Sequence, residues 1–297
     1  MRFAAWLVLL ATLLLWSGNW IVARAVREDI APGIATAGRL LIVLALLAPF
    51  ALRGLRAKWP RLSRRDCAIL AAMGFTGGGL HLALQWLGLH YTTATSGILY
   101  LSTTPIFILL MAAPLLGERI GLHQWLGVAV SFGGVYLIAT QGRPALLAFN
   151  RGDMMALASM VMWAGYTILL RLRRDPLDTA ELLITVCGLG LLFMAPWIAF
   201  EIAARPIPRL NAAGAAAVLY SAIGSLLLAY IGWGYVVKRL GAARAGATLH
   251  LMPALGVLLS AIFLGEYPQW FHFAGIGLVL AGVGLSSAKA SSASSSR

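Results

Sequence analysis

The chain has 297 residues, of which 60% are hydrophobic and 11% charged, and its net charge is +13. A soluble domain carries about 25% charged residues, and one core of this size cannot bury so much apolar surface, so a water-soluble globular protein is excluded. The Lys and Arg surplus lies in loops between apolar runs rather than on a separate basic face, which argues against nucleic acid as a partner and for an all-α polytopic membrane protein.

Ten apolar runs follow one another, at 4–24, 33–52, 67–89, 93–115, 123–140, 153–172, 179–200, 212–236, 244–264 and 270–287. Ten helices of roughly 20 residues use about 200 residues and leave only short loops. Helix is the sensible assignment for these runs, since an open sheet leaves unpaired backbone groups in lipid. The first run has features of a signal peptide, with Arg2 ahead of it and Ala23-Arg24-Ala25 behind. Its length and its Trp16, Asn19 and Trp20 favour a retained helix.

Polar and aromatic groups within these runs are the candidates for a solute site. Span 1 offers Trp16, deeper than an interfacial belt, and Asn19 near its far end, whose amide would meet either substrate or a neighbouring helix. Span 2 holds Arg39, the one basic residue clearly inside a run. An Arg there is costly, so it either binds a substrate carboxylate or helix carbonyl, or snorkels. Span 3 carries Thr76-Gly77-Gly78-Gly79, then His81 and Gln85 one turn apart on one face, with Trp86 following. The glycines permit close helix approach or backbone unwinding at a site.

Span 4 has Tyr100, Ser102, Thr103 and Thr104 ahead of Pro105, and span 9 has Thr248 and His250 ahead of Pro253. Each proline would free a carbonyl one turn upstream, at Leu101 and Leu249, for substrate or for rebonding by Ser and Thr. Span 6 contributes Trp163 and Tyr166, and span 8 contributes Tyr230 and Trp233, one turn apart. For each aromatic, packing is the competing role. Small residues in span 5 (Gly127, Ser131, Gly134) and span 10 (Ala274, Gly277, Ala281, Gly284) suit tight helix contacts. Cys67 and Cys187 fit neither a metal pattern nor a disulfide framework, and they are expected to be inert buried thiols. No cofactor or metal is expected. The tail at 288–297, rich in Ser and Ala, reads as disordered.

The two halves match. GERIGLHQWLGVAVSFGGVYL from Gly117 aligns with GEYPQWFHFAGIGLVLAGVGL from Gly265, pairing Glu118 with Glu266, Gly127 with Gly275 and Gly134 with Gly282. Pro105 aligns with Pro253 at the same offset, and Trp16-Ser17-Gly18 aligns with Trp163-Ala164-Gly165. The chain is thus a five-helix unit duplicated over 1–145 and 150–287. Five being odd, the second copy enters the membrane inverted, an arrangement that suits alternating access in a transporter. Glu118 and Glu266 fall at helix ends, where capping is expected.

WSGNW in span 1, WAGY in span 6, Arg39, and the two Pro-then-Gly-Glu segments together resemble the drug/metabolite transporter superfamily, specifically its EamA-type branch. The resemblance covers roughly residues 4 to 287. It implies a ten-helix inner-membrane carrier, often an exporter of amino acids or related metabolites, with no single substrate. The second copy departs from the first where Tyr166 replaces Asn19, so the halves need not contact substrate alike.

Sixteen Lys and Arg flank the spans on the side of the N-terminus and six on the other, which places both termini in the cytoplasm. No Asp or Glu lies deep in a run, although Glu181 sits near the start of span 7. Proton coupling would therefore fall to His81 or His250, and a uniporter or counter-ion exchanger fits otherwise. A membrane enzyme would need a carboxylate or metal constellation that is not evident. A non-transporting sensor would need an output domain.

Overall fold

The computed structural model describes residues 2–116, 120–143, 150–204, 211–240, 248–249 and 251–287. His250, Glu118 and the 288–297 tail lie outside them. Among the described residues the chain is helical without strands. Ten helices carry the fold: α1 Arg2–Ala25, α2 Pro32–Lys58, α3 Arg64–Tyr91, α4 Ala94–Leu115, α5 Leu122–Ala139, α6 Arg151–Leu172, α7 Thr179–Ala204, α8 Ala212–Val236, α9 Leu251–Leu264 and α10 Trp270–Ser287. The first eight are long and apolar enough to cross a bilayer, and α9 and α10 are shorter apolar helices. Phe50, Phe200 and Phe263 stand exposed on the outer surface, as lipid-facing residues do when lipid replaces a second protein layer.

Local chemistry sets the helix starts. Ser63 opens α3 with a capping box shared with Asp66, Thr93 caps α4, Asn150 caps α6 and Asn211 caps α8. The α2 helix runs past the expected end at 52 to Lys58, whose ammonium bonds Glu181 at 2.6 Å. At the opposite end of the same antiparallel pair, the Glu201 carboxylate accepts the Ile34 N–H at 3.1 Å and so caps α2 from α7.

Inverted two-fold symmetry is visible in the packing of α5 on α10. Gly127 lies against the Gly282 carbonyl and Gly134 against that of Gly275, while Gly127 and Gly275, like Gly134 and Gly282, are repeat equivalents. Such reciprocal pairing is what a two-fold axis demands. Absence of a Cβ lets the backbones touch at these points. The seam on α10 corrects the sequence reading. Ala274, Gly277, Ala281 and Gly284 are exposed, and the buried face is Gly275, Val279 and Gly282.

A second symmetric feature lies in α3 and α8. Each carries a π-helical stretch, Gly74–Leu80 in one and Tyr220–Leu228 in the other. At their ends the His81 N–H reaches back to the Thr76 carbonyl and the Ala229 N–H to that of Gly224. The two stretches are separated by the offset that separates Ser131 from Val279, 148 residues. Wide turns of this kind occur frequently at functional sites.

Successive helices cross in opposite directions. The ends of α1, α3, α5, α7 and α9 therefore share the face opposite the N-terminus, the far face, with the starts of α2, α4, α6, α8 and α10. There the turn 92–96 between α3 and α4 is held by three residues of the second half. Thr92 donates its hydroxyl to Asp153 at 2.6 Å, the Thr95 N–H bonds Glu266 at 3.1 Å, and Ser96 meets His272 at 3.3 Å. Arg24 completes the clasp, pairing with Glu266 at 3.3 Å and donating to the Leu89 carbonyl at 2.7 Å. Glu266 thus caps a helix, as expected, but the helix is α4 rather than its neighbour in sequence. The carbonyls upstream of the prolines are not open. Leu101 accepts from the Thr104 N–H in a 3₁₀ turn, and Leu249 accepts from the Met252 N–H at 3.0 Å. A tightened backbone turn, rather than a Ser or Thr hydroxyl, takes the bond that proline cannot make.

Candidate functional site

Arg39 is 1% exposed in the middle of the bundle. The helical geometry of α2 aims it at α3, where its Nη2 donates to the Leu82 carbonyl at 2.7 Å, and the same nitrogen donates to Thr36 Oγ1, one turn earlier on α2, at 3.4 Å. Its guanidinium lies 5.1 Å from the centre of the Trp86 ring. It forms no ion pair among the described residues. Both Arg39 Nε and Trp86 Nε1 are buried donors without an acceptor. A buried charge normally has its hydrogen bonds filled and a partner of opposite sign. An unpaired cation with its own Nε orphaned, beside one further orphaned donor on Trp86, makes a niche short of acceptors, which is the polarity a carboxylate would supply.

Two aromatic groups flank this niche. On the α3/α6 side His81, Trp163 and Tyr166 form a stack, with centroids 5.1 Å apart for His81 and Trp163 and 5.2 Å for Trp163 and Tyr166. Ser159, one turn before Trp163, fixes the imidazole: His81 Nδ1 lies 2.9 Å from the Ser159 carbonyl and 2.8 Å from its hydroxyl. On the α1/α8 side Trp16 packs edge-on to Tyr230 at 5.8 Å and against Trp233 at 5.5 Å. Tyr230 joins the two sides, lying within electrostatic range of Tyr166, Cys187 and Arg39. Trp16, Trp163, Tyr230 and Trp233 are half-buried, so they border the interior instead of filling it.

Asn19 and Gln85 belong to a polar chain across the bundle. Ser221 donates to Asn19 Oδ1 at 2.7 Å, and Asn19 Nδ2 donates to Gln85 Oε1 at 3.2 Å. The chain ties α8, α1 and α3, so the amide of Asn19 bonds neighbouring helices.

Two other predicted residues lie apart. Thr104 points its hydroxyl at Met160 Sδ, 3.5 Å away on α6, and Tyr100 is buried beside Asp153 towards the far face. Cys187 is buried near Arg39, whereas Cys67 is only half-buried at the start of α3.

Sequence reasoning passed over Ser159 and Ser221, and it named Trp86 beside His81 and Gln85 without giving it a role. Ser159 was within reach of a helical-face argument, since it precedes Trp163 by one turn. Asp153 was also missed. Its position in the first turn of α6 reads as a helix end, yet it is buried under the α3–α4 turn.

The model of the EamA-like transporter family matches residues 3–140 and 150–288, once for each half. An "Uncharacterized transporter" of Archaeoglobus fulgidus is 28% identical over 291 residues, covering 95% of this chain and 97% of that protein. A "Probable terminal-alkyne amino-acid exporter" of Streptantibioticus cattleyicolor is 29% identical over 284 residues, covering 94% and 92% respectively. One solved structure, described as "Crystal structure of protein", superposes with a TM-score of 0.59 at 22% identity over 97% of each chain, a likeness of fold.

Proposed function

Since the chain belongs to the EamA-like transporter family, we propose that it is an inner-membrane secondary carrier exporting amino acids or similar small carboxylate-bearing metabolites by alternating access. The observation that carries this reading is Arg39, a buried cation without a carboxylate partner among the described residues, set beside a second orphaned donor on Trp86. The substrate carboxylate accepts from these two groups, and the aromatic walls of His81, Trp163, Tyr166, Trp16, Tyr230 and Trp233 receive its apolar part. Asn19 and Gln85 brace the helices that hold the niche. The relative named as a probable amino-acid exporter supports this substrate class, and the transporter names of the relatives argue against an enzyme.

Both termini face the cytoplasm in this reading, on the strength of the Lys and Arg distribution. The test is flux in proteoliposomes of purified protein, using labelled amino acids alongside matched amines that lack the carboxylate. Carboxylate-dependent flux above empty vesicles is the expected result. No flux of any solute, or equal flux of acid and amine, would overturn the proposal.

A further inference from the structure

We infer that Trp16 and Trp163 form a two-position switch: Trp16 holds the Ser225 carbonyl in this conformation, and in the oppositely facing one Trp163 takes the Gly77 carbonyl while Trp16 lets go. This deepens the alternating-access reading and rests on it.

The inference starts from the π-helical stretches. In an α-helix the Ala229 N–H would bond the Ser225 carbonyl, four residues back. Here it reaches to Gly224, so the Ser225 carbonyl is passed over. The vacated acceptor is taken by a side chain from the other half, since Trp16 Nε1 donates to it at 3.1 Å. The same skip occurs in α3, where His81 N–H reaches to Thr76 and passes over Gly77. Gly77 and Ser225 are repeat equivalents by the offset that relates Ser131 and Val279. Trp16 and Trp163 are equivalent by the motif that contains them.

The two halves thus carry the same parts in different states. Trp16 is bonded to its carbonyl. Trp163 is instead stacked on Tyr166, and Tyr166 lies directly over Gly77, where a methyl group would strike its ring. Trp163 is therefore one ring away from the acceptor its counterpart has already found. In a protein of inverted repeats, the opposite conformation is reached when the halves exchange states. One tryptophan–carbonyl bond exists in each conformation, so the exchange leaves their number unchanged and the two states stay close in energy.

The test is hydrogen–deuterium exchange on the full chain in lipid nanodiscs, read at the 92–96 turn that this conformation clasps. Trp16→Phe removes a bond present only in this state and should raise opening of the turn about fivefold, the worth of one net hydrogen bond. Trp163→Phe removes a bond present only in the other state and should lower opening by a similar factor. The double variant should return close to the wild-type rate, which two merely structural losses would not do. Shifts of the same sign in both single variants, or no shift in either, overturn the switch. Wild-type flux in proteoliposomes is measured in parallel. Absent flux with opposed shifts would reject the carrier reading and keep the switch, whereas flux without opposed shifts would do the reverse.

Discussion

Ser131 donates its hydroxyl to the carbonyl of Val279 at 3.1 Å, and Val279 is its own counterpart 148 residues on. A residue that touches its equivalent must lie beside the symmetry axis, and the flanking pairs Gly127–Gly282 and Gly134–Gly275 cross over as that axis requires. The α5–α10 seam is thus the fixed line about which the halves are related, and its glycines are structural.

A methyl group at Gly134 would meet the Gly275 carbonyl, and one at Gly275 would meet Ile138 and the Gly134 carbonyl. Gly134→Ala or Gly275→Ala should destabilise by about 1–3 kcal/mol, since packed backbones have no room to give. For a chain of this size that is roughly 2–4 °C in Tm per kcal/mol, read by thermal unfolding in detergent. Gly277 has open space around it on the same helix, so Gly277→Ala should leave Tm unchanged or slightly raised. Equal Tm values for all three would remove the seam from this account.

Arg39→Gln should reduce flux of carboxylate substrates about 10–100-fold, the worth of a charge-assisted hydrogen bond lost. No carboxylate among the described residues is left unpaired by the change, but the bond to the Leu82 carbonyl and the contact with the Trp86 ring are lost, so Tm should fall by only a few degrees while flux falls by far more. Arg39→Lys keeps the charge but loses the planar fork, and it should recover flux only in part. Proteoliposome uptake of paired acids and amines checks both variants. Unaltered acid flux in Arg39→Gln would show that the orphaned donors are not the carboxylate site.

Composition and repeat spacing were enough to read ten helices in two inverted units, because lipid leaves the backbone few options and a duplication is written in identities such as Gly127 with Gly275. Finer packing was hidden where it depends on which of several faces is buried. On α10 two interleaved rows of small residues were available, and only contact with α5 selects Gly275 and Gly282. The π-helical stretches were half legible. Gly77-Gly78-Gly79 signalled an irregular α3, but YSAIGSLLL in α8 has one glycine and gave no such sign. Arg39 stood out by its charge alone. Its partner Trp86 did not, because cation–ring contacts between helices carry no sequence spacing.

His81→Ala removes the imidazole that stacks on Trp163 and leaves the Ser159 hydroxyl its bond to the residue-81 carbonyl, 3.1 Å in the wild type. The fold should persist, and flux should drop about tenfold as the stack loosens. Ser159→Ala frees the ring without deleting it, so its loss should be smaller and in the same direction. Initial rates of uptake, with Tm measured alongside, separate the two effects. Wild-type rates in both variants would exclude the His81 wall from the substrate path.

Between α6 and α7, outside the spans, Arg173 grips Asp175 with two hydrogen bonds of 2.6 and 3.0 Å, and the Leu177 N–H adds a third at 3.1 Å. Burial is the largest single influence on this carboxyl and opposes its charge, but the Arg173 bonds, the Leu177 N–H and the Arg173 charge together outweigh it. The carboxyl is therefore held below its ordinary range, which is about 3.9 in an unfolded chain. A group whose acidity is strengthened by folding contributes stability above its unfolded value and loses it as pH falls through the folded one. At pH 7 Asp175→Asn should accordingly lower Tm by a few degrees. The gap between wild type and variant should hold down to about pH 4 and close progressively below it, as the wild-type loop surrenders its charge and the variant has none to lose. Thermal unfolding of both proteins across that range measures the gap. A difference independent of pH would mean that the loop is held by shape and neutral hydrogen bonds rather than by the Arg173–Asp175 charge pair.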